Sequence, residues 1–221
     1  MSRFDTKAVL FDLDGTLADT APDLGGAVNA LRARRGLEPL PIETLRPVAS
    51  AGARGMLAVG LSKSPTDADY ESLRDEFLAE YEAGLDRATR LFDGVRSLLD
   101  ALTARGLPWG IVTNKAMRFT APVVASLSLE DAAVIIAGDT TPHAKPHPAP
   151  LLAACERLGI TPAQAIYVGD DLRDVQAARA AGMPSVAATY GYLGEDGNVA
   201  AWGADALIDA PIDLLALLAT R

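Results

Sequence analysis

Ala8-Val9-Leu10-Phe11-Asp12-Leu13-Asp14-Gly15-Thr16 is the stretch on which the reading of the fold turns. Four consecutive apolar residues are halted at once by a turn signal built from Asp, Gly and Thr. A continuous apolar run of this length suits a strand buried on both faces of a parallel sheet; a half-exposed strand would alternate. Similar runs recur at Trp109–Val112, Ala133–Ala137, Ala165–Val168 and Ser185–Ala188. Helical stripes lie between them: Val95, Leu98, Leu99 and Leu102 share one face, as do Leu151, Leu152, Cys155 and Leu158. From Leu91 onward, strand and helix alternate, which points to an α/β fold with a doubly wound parallel sheet.

The stretch from Asp19 to Arg90 breaks this rhythm. It offers no good strand but three helical patterns. Leu24, Ala27, Val28 and Leu31 form one stripe, and Tyr70, Leu73, Phe77 and Tyr81 another. The less regular Ile42–Leu61 lies between them. An all-helical segment after the first strand of an alternating fold reads as an insertion. The expected organisation is a Rossmann-like core from residues 1–16 and 91–221, with an inserted all-helical cap domain over 17–90.

The chain has 221 residues, enough to bury a sizeable core without a disulfide or metal staple. Its net charge of −9 argues against nucleic-acid and anionic-membrane partners, which are held by basic patches. A local cation can still reverse the sign within one pocket, so an anionic small molecule is not excluded. The one cysteine, Cys155, lies on an apolar stripe and reads as core; alone it rules out an internal disulfide and a cysteine-cage zinc site. Lys7–Leu13 is too short for a secretory signal and is interrupted by Asp12. No apolar run approaches the roughly 18 residues that span a bilayer. The expectation is a soluble cytoplasmic protein, either monomer or homodimer.

Four motifs carry the chemistry. Asp12 and Asp14 follow the first strand, at the end where ligands collect in open parallel sheets. Two such close carboxylates need a cation between them or a proton on one. A calcium EF-hand loop is ruled out because Leu17 stands where that loop requires glycine. Asp170, Asp171 and Asp174 follow another strand, and three carboxylates within five positions favour a hard metal, with one of Asp171 and Asp174 free to cap the helix starting at Leu172. Thr113 and Asn114 close the Trp109 strand with donors suited to phosphate oxygens. Lys145 lies in Ala144-Lys145-Pro146-His147-Pro148, a stretch stiffened by two prolines. His143 and His147 have metal-pair spacing, but Pro146 and Pro148 argue against a shared helix face.

In this order, at the ends of successive strands, the four motifs resemble the haloacid dehalogenase superfamily over essentially the whole chain. The helical insertion is similar to that family's first type of cap. Asp14 is the mark of the phosphatase and mutase branches, since the family's dehalogenases lack it. The resemblance implies Asp12 as nucleophile and Asp14 as general acid and base. It implies Mg²⁺ held by the Asp12 carboxylate, the Asp14 carbonyl and Asp170, with Asp171 and Asp174 as direct or water-mediated partners. Lys145 and Thr113, with Asn114, Lys115 and the N–H groups around Leu13, would bind the phosphoryl oxygens.

Thr113-Asn114-Lys115, Lys145-Pro-His-Pro148 and Tyr190-Gly-Tyr192 are similar to the phosphoglycolate phosphatase group. Ser50-Ala-Gly-Ala-Arg54-Gly55, Arg118-Phe119 and Trp202-Gly-Ala-Asp205 are closer to bacterial N-acetylmuramic acid 6-phosphate phosphatases. Both substrates carry a carboxylate, for which Arg54 and Arg118 are candidate partners; Arg118 has stacking on Phe119 as its alternative. The implied partner is therefore a small phosphate ester, and a sugar phosphatase or phosphomutase of the same superfamily stays open. A signalling receiver domain shares the residue types, but carries its acidic pair on the first strand and its phosphoacceptor later.

Overall fold

The computed structural model describes residues 4–194 and 197–219. The chain opens with β1 (Ala8–Phe11) and a short β2 (Ala18–Asp19). Helices α1 (Ala21–Arg34), α2 (Ile42–Leu45), α3 (Gly52–Leu61) and α4 (Tyr70–Gly84) follow, and β3 (Arg90–Leu91) closes that segment. Next come α5 (Val95–Ala104), β4 (Trp109–Val112), α6 (Met117–Ser126), β5 (Val134–Ile136) and α7 (Ala149–Leu158). The chain ends with β6 (Ala165–Gly169), α8 (Leu172–Ala181), β7 (Ser185–Ala188), β8 (Ala206–Ile208) and α9 (Leu214–Leu217).

Six strands form one parallel sheet in the order β5-β4-β1-β6-β7-β8. The expected doubly wound α/β architecture is present. Every residue of β1 is buried, as its unbroken apolar run requires. Alternation sends Val9 and Phe11 to one face, where they meet Val95, Leu98 and Leu102 of α5. Leu10 faces the other side, among Leu151, Ala154 and Cys155 of α7 and Ala177 of α8. The chain runs outward from β1 through β4 to β5, then returns to place β6 on the other flank of β1. That reversal opens a crevice at the carboxyl ends of β1, β4 and β6.

The helical segment has a core of its own, built from Leu24, Val28 and Leu31 of α1, Met56 and Leu57 of α3, and Leu73, Phe77 and Tyr81 of α4. Phe119 and Tyr192, from the sheet side, join that cluster. The expectation of no strand here needs one correction, because antiparallel β2 and β3 pair Ala18 with Leu91 and Asp19 with Arg90 where the helical segment leaves and rejoins the sheet. Leu152, expected on the buried stripe of α7, is 43% exposed. Ala154, three residues from Leu151, takes its place on the inward face. Cys155 is core, and burial pushes its thiol up to about 11, consistent with an inert packing role. No helix among the described residues is long and apolar enough to cross a membrane.

Candidate active site

Three of the four chemical motifs sit where a strand ends, and Lys145 comes from the loop between β5 and α7. Asp12 follows β1, and its N–H continues the ladder to the Val168 carbonyl of β6 at 2.9 Å. Thr113 follows β4 and donates its N–H to the Ile136 carbonyl at 2.9 Å. Asp170 follows β6 and is fully buried. The chain turns sharply after Asp14 at Gly15, whose φ is +84°. A side chain at Gly15 would also collide with the Asp170 carboxylate, so two separate constraints require glycine there.

Lys145 sits at the centre of the cluster. Its Nζ lies 2.9 Å from Asp12 Oδ1 and 2.8 Å from Asp174 Oδ1, and it also donates to the Val112 carbonyl at 3.0 Å and the Tyr167 hydroxyl at 2.6 Å. Burial works against the ammonium, but Asp12 and Asp174 outweigh it and hold its pKa above the ordinary lysine value. Asn114, expected on the phosphate, instead grips the Lys145 backbone: its amide donates to the Lys145 carbonyl and accepts the Lys145 N–H, both at 2.9 Å. Asn114 is thus committed to the lysine's backbone in this arrangement.

Asp12, Asp170 and Asp174 each offer an oxygen within 4.8 Å of the others. Asp170 also accepts the Thr16 hydroxyl at 2.9 Å and the Tyr192 N–H at 2.8 Å. Burial, opposed by Lys145 and reinforced by Asp174 and Asp14, raises the Asp12 carboxyl from 3.8 to about 7. Asp170 is likewise pushed well above the usual carboxylate range, mainly by burial. One ammonium against three carboxylates leaves the cluster short of positive charge, and its donors are hard oxygens. Those donors suit Mg²⁺.

Asp171 and Asp14 lie apart from that triad. Asp171 is the N-cap of α8: its side chain accepts the Arg173 N–H at 2.9 Å, and the Asp174 side chain accepts the Asp171 N–H at 3.1 Å, completing a capping box. The Arg173 guanidinium pairs with Asp171 at 2.7 Å and reaches across to the Ser50 carbonyl of the helical segment at 2.9 Å. Burial alone would raise the Asp171 carboxyl, but Arg173 outweighs it and leaves the pKa lowered. Asp14 Oδ1 accepts from Lys115 Nζ at 2.9 Å and from the Thr20 hydroxyl at 2.5 Å. Lys115, expected on substrate, therefore sits on Asp14 instead.

A cavity of about 470 Å³ lies over this cluster, between the sheet and the helical segment. Asp12, Asp14, Thr113 and Lys145 line its floor; Phe77, Tyr81 and Phe119 contribute aromatic wall. Arg54 and Arg118 are exposed on its lining, and the Arg118 guanidinium also lies 4.4 Å from the Phe119 ring centre. Leu13 is buried beneath, its N–H donated to Asp12 Oδ1 at 2.8 Å. The rings of His143 and His147 lie together at 4.3 Å on the surface, and His147 Nδ1 accepts the Ala149 N–H.

Several contributors have roles that the sequence does not assign, although Tyr192 lies in a motif quoted above for its family resemblance. Tyr192 caps α1 through its hydroxyl, which accepts the Thr20 and Ala21 N–H groups at 2.7 and 2.9 Å, while its own N–H holds Asp170. Tyr167 alternates with apolar neighbours on β6 and reads as core, yet its hydroxyl meets Lys145. Thr16, whose hydroxyl meets Asp170, lies in the first motif.

The model of the haloacid dehalogenase-like hydrolase family matches residues 9–188. A Pseudomonas aeruginosa protein named N-acetylmuramic acid 6-phosphate phosphatase is 43% identical, over 99% of this chain and 97% of its own length. A Xanthomonas campestris protein named phosphoglycolate phosphatase is 49% identical, over 94% of each chain. Among solved structures, a protein described as a predicted phosphoglycolate phosphatase from Haemophilus somnus superposes with a TM-score of 0.84 at 28% identity, covering 96% of this chain and 98% of that one.

Proposed function

Because the chain belongs to the haloacid dehalogenase-like hydrolase family, we propose that it hydrolyses a small carboxylate-bearing phosphate monoester through an aspartyl-phosphate on Asp12. The chain is a phosphatase of this family, like its relatives at 43% and 49% identity. One observation carries the mechanistic reading: the strand-end Asp12 shares a buried cluster with Lys145 and two further carboxylates.

Asp12 attacks phosphorus in line, forming an acyl phosphate and releasing the alcohol, which splits a difficult hydrolysis into two easier steps. Asp14 gives its proton to the departing oxygen, then takes one from the water that cleaves the acyl phosphate. Lys115 and Thr20 both engage Asp14 Oδ1, which leaves Oδ2 to carry that proton. Lys145 and Thr113, with the backbone N–H groups around Leu13, bind the phosphoryl oxygens, where positioning and fixed charge dominate catalysis. Asn114 acts one step back, by fixing Lys145. Mg²⁺, held by Asp12, Asp170 and Asp174 with the Asp14 carbonyl, would neutralise charge between the nucleophile and the phosphate. In this reading residues 17–90 form a cap over a catalytic core made from 1–16 and 91–221, and Arg54 and Arg118 meet the substrate carboxylate.

The substrate proposed first is phosphoglycolate-like. A second reading, N-acetylmuramic acid 6-phosphate, is favoured by the cavity of about 470 Å³, which is roomier than a two-carbon acid requires. Side-by-side kcat/KM values with Mg²⁺ on phosphoglycolate, N-acetylmuramic acid 6-phosphate and glucose 6-phosphate test both. Preference for either acidic ester supports the proposal. Preference for glucose 6-phosphate overturns it, and an isomerised sugar product in place of free phosphate identifies a mutase.

A further inference from the structure

Among the described residues, a single buried side-chain polar atom lacks a hydrogen-bond partner, and it is the hydroxyl of Tyr81. Tyr81 belongs to α4 of the helical segment and is 2% exposed. Its ring stacks with Phe77 at 6.4 Å and meets Phe119 at 5.4 Å, so packing fixes its orientation. The Lys115 ammonium lies 4.9 Å from the ring centre, within cation–π range. That same ammonium is 2.9 Å from Asp14 Oδ1. The Lys115 ammonium and the Tyr81 hydroxyl are also close enough to act on one another directly, although the hydroxyl makes no hydrogen bond of regular geometry.

We infer that Lys115 and Tyr81 are positioning residues for Asp14: the helical segment, through Tyr81, fixes the lysine, and the lysine fixes the carboxylate that protonates the leaving group. A lysine side chain has four rotatable bonds and loses much freedom when immobilised. A flat ring over its ammonium and an oxygen beside it confine that freedom to the orientation that meets Asp14. A buried hydroxyl without a partner is unfavourable where phenylalanine would pack equally well, and proximity to the lysine gives the oxygen a use. The inference rests on the phosphatase reading above. It adds two residues that shape the proton transfer without touching phosphorus.

The test exploits the leaving group. A departing p-nitrophenolate needs little protonation, phenolate more, and an alkoxide most, so impaired proton donation penalises the poorer leaving groups selectively. The experiment measures kcat/KM with Mg²⁺ for p-nitrophenyl phosphate, phenyl phosphate and phosphoglycolate in wild type, Tyr81→Phe and Lys115→Met. The ratio of the phosphoglycolate value to the p-nitrophenyl value is expected to fall about tenfold in Tyr81→Phe and about a hundredfold in Lys115→Met. A proportional loss on all three esters means general loosening of the site and overturns the inference alone. Absence of phosphate release from every ester in the wild type overturns the phosphatase reading and the inference with it. Tyr81→Phe keeps the ring and its packing, so it reads the hydroxyl even if Lys115→Met folds poorly.

Discussion

The Nζ of Lys145 lies 2.9 Å from Oδ1 of Asp12, with both side chains buried. In the proposed mechanism a nucleophilic carboxylate must approach an anionic phosphate, and this cation would serve both, fixing the carboxylate and supplying a donor for a phosphoryl oxygen. Lys145→Ala is expected to lower kcat by about 10²–10³-fold at saturating Mg²⁺, the usual cost of one such electrostatic contact. Steady-state phosphate release checks this. A loss below about tenfold would remove Lys145 from the chemistry.

The buried carboxylates also set a pH dependence. Burial pushes the Asp12 carboxyl from 3.8 up to about 7 in the fold, and Asp170 is also raised well above the ordinary carboxylate range. A carboxyl raised on folding stabilises the protein fully below its unfolded pKa and ceases to do so as pH rises through the folded one. In chelator, these two groups therefore withdraw stability from about pH 4 through about pH 7 and above. Mg²⁺ held as proposed would bind the ionised cluster, so its stabilisation is expected to grow over the same window. The gain in Tm on adding Mg²⁺ is expected to be larger at about pH 8 than at about pH 5, by scanning fluorimetry; an equal gain at both would contradict the three-carboxylate seat.

Asp171 and Asp174 separate by role although both belong to one motif. Asp171 caps α8, and Asp174 faces Lys145 and the carboxylate triad. Asp171→Ala is expected to cost about 1 kcal/mol of stability through the lost cap, with Mg²⁺ affinity changed less than about tenfold. Asp174→Asn is expected to weaken Mg²⁺ binding by more than that. Denaturant melts and calorimetric titration distinguish the two, and the reverse pattern would exchange their assignments.

Arg54 lines the cavity from an exposed position on α3. If it meets a substrate carboxylate, Arg54→Ala raises KM for an acidic ester about tenfold more than for p-nitrophenyl phosphate, since a charged hydrogen bond is lost from only one of them. Equal effects on the two esters would remove it from specificity.

The sheet was legible because burial on both faces writes itself as unbroken apolar runs, and β1, β4, β6 and β7 all carry that mark. The strand-end position of Asp12, Thr113 and Asp170 followed from those runs. Strand β8 left no such trace: it has three residues at a sheet edge, with Leu207 exposed. The two-residue strands β2 and β3 are too short for any periodicity. Within the site, residue types were readable but partners were not. Lys115 and Asn114 look like phosphate donors in sequence. Their carboxylate and backbone partners lie 101 and 31 positions away, at separations that only the folded chain closes.

In the proposed mechanism, phosphate passes through Asp12. Acid quenching during turnover, borohydride reduction and peptide mass spectrometry read this directly, because reduction of an acyl phosphate converts the aspartate to homoserine. The account predicts homoserine at position 12 in the wild type, with none in Asp12→Asn, which folds by circular dichroism and releases no phosphate. Sustained turnover by Asp12→Asn, or trapping at another residue, would contradict it.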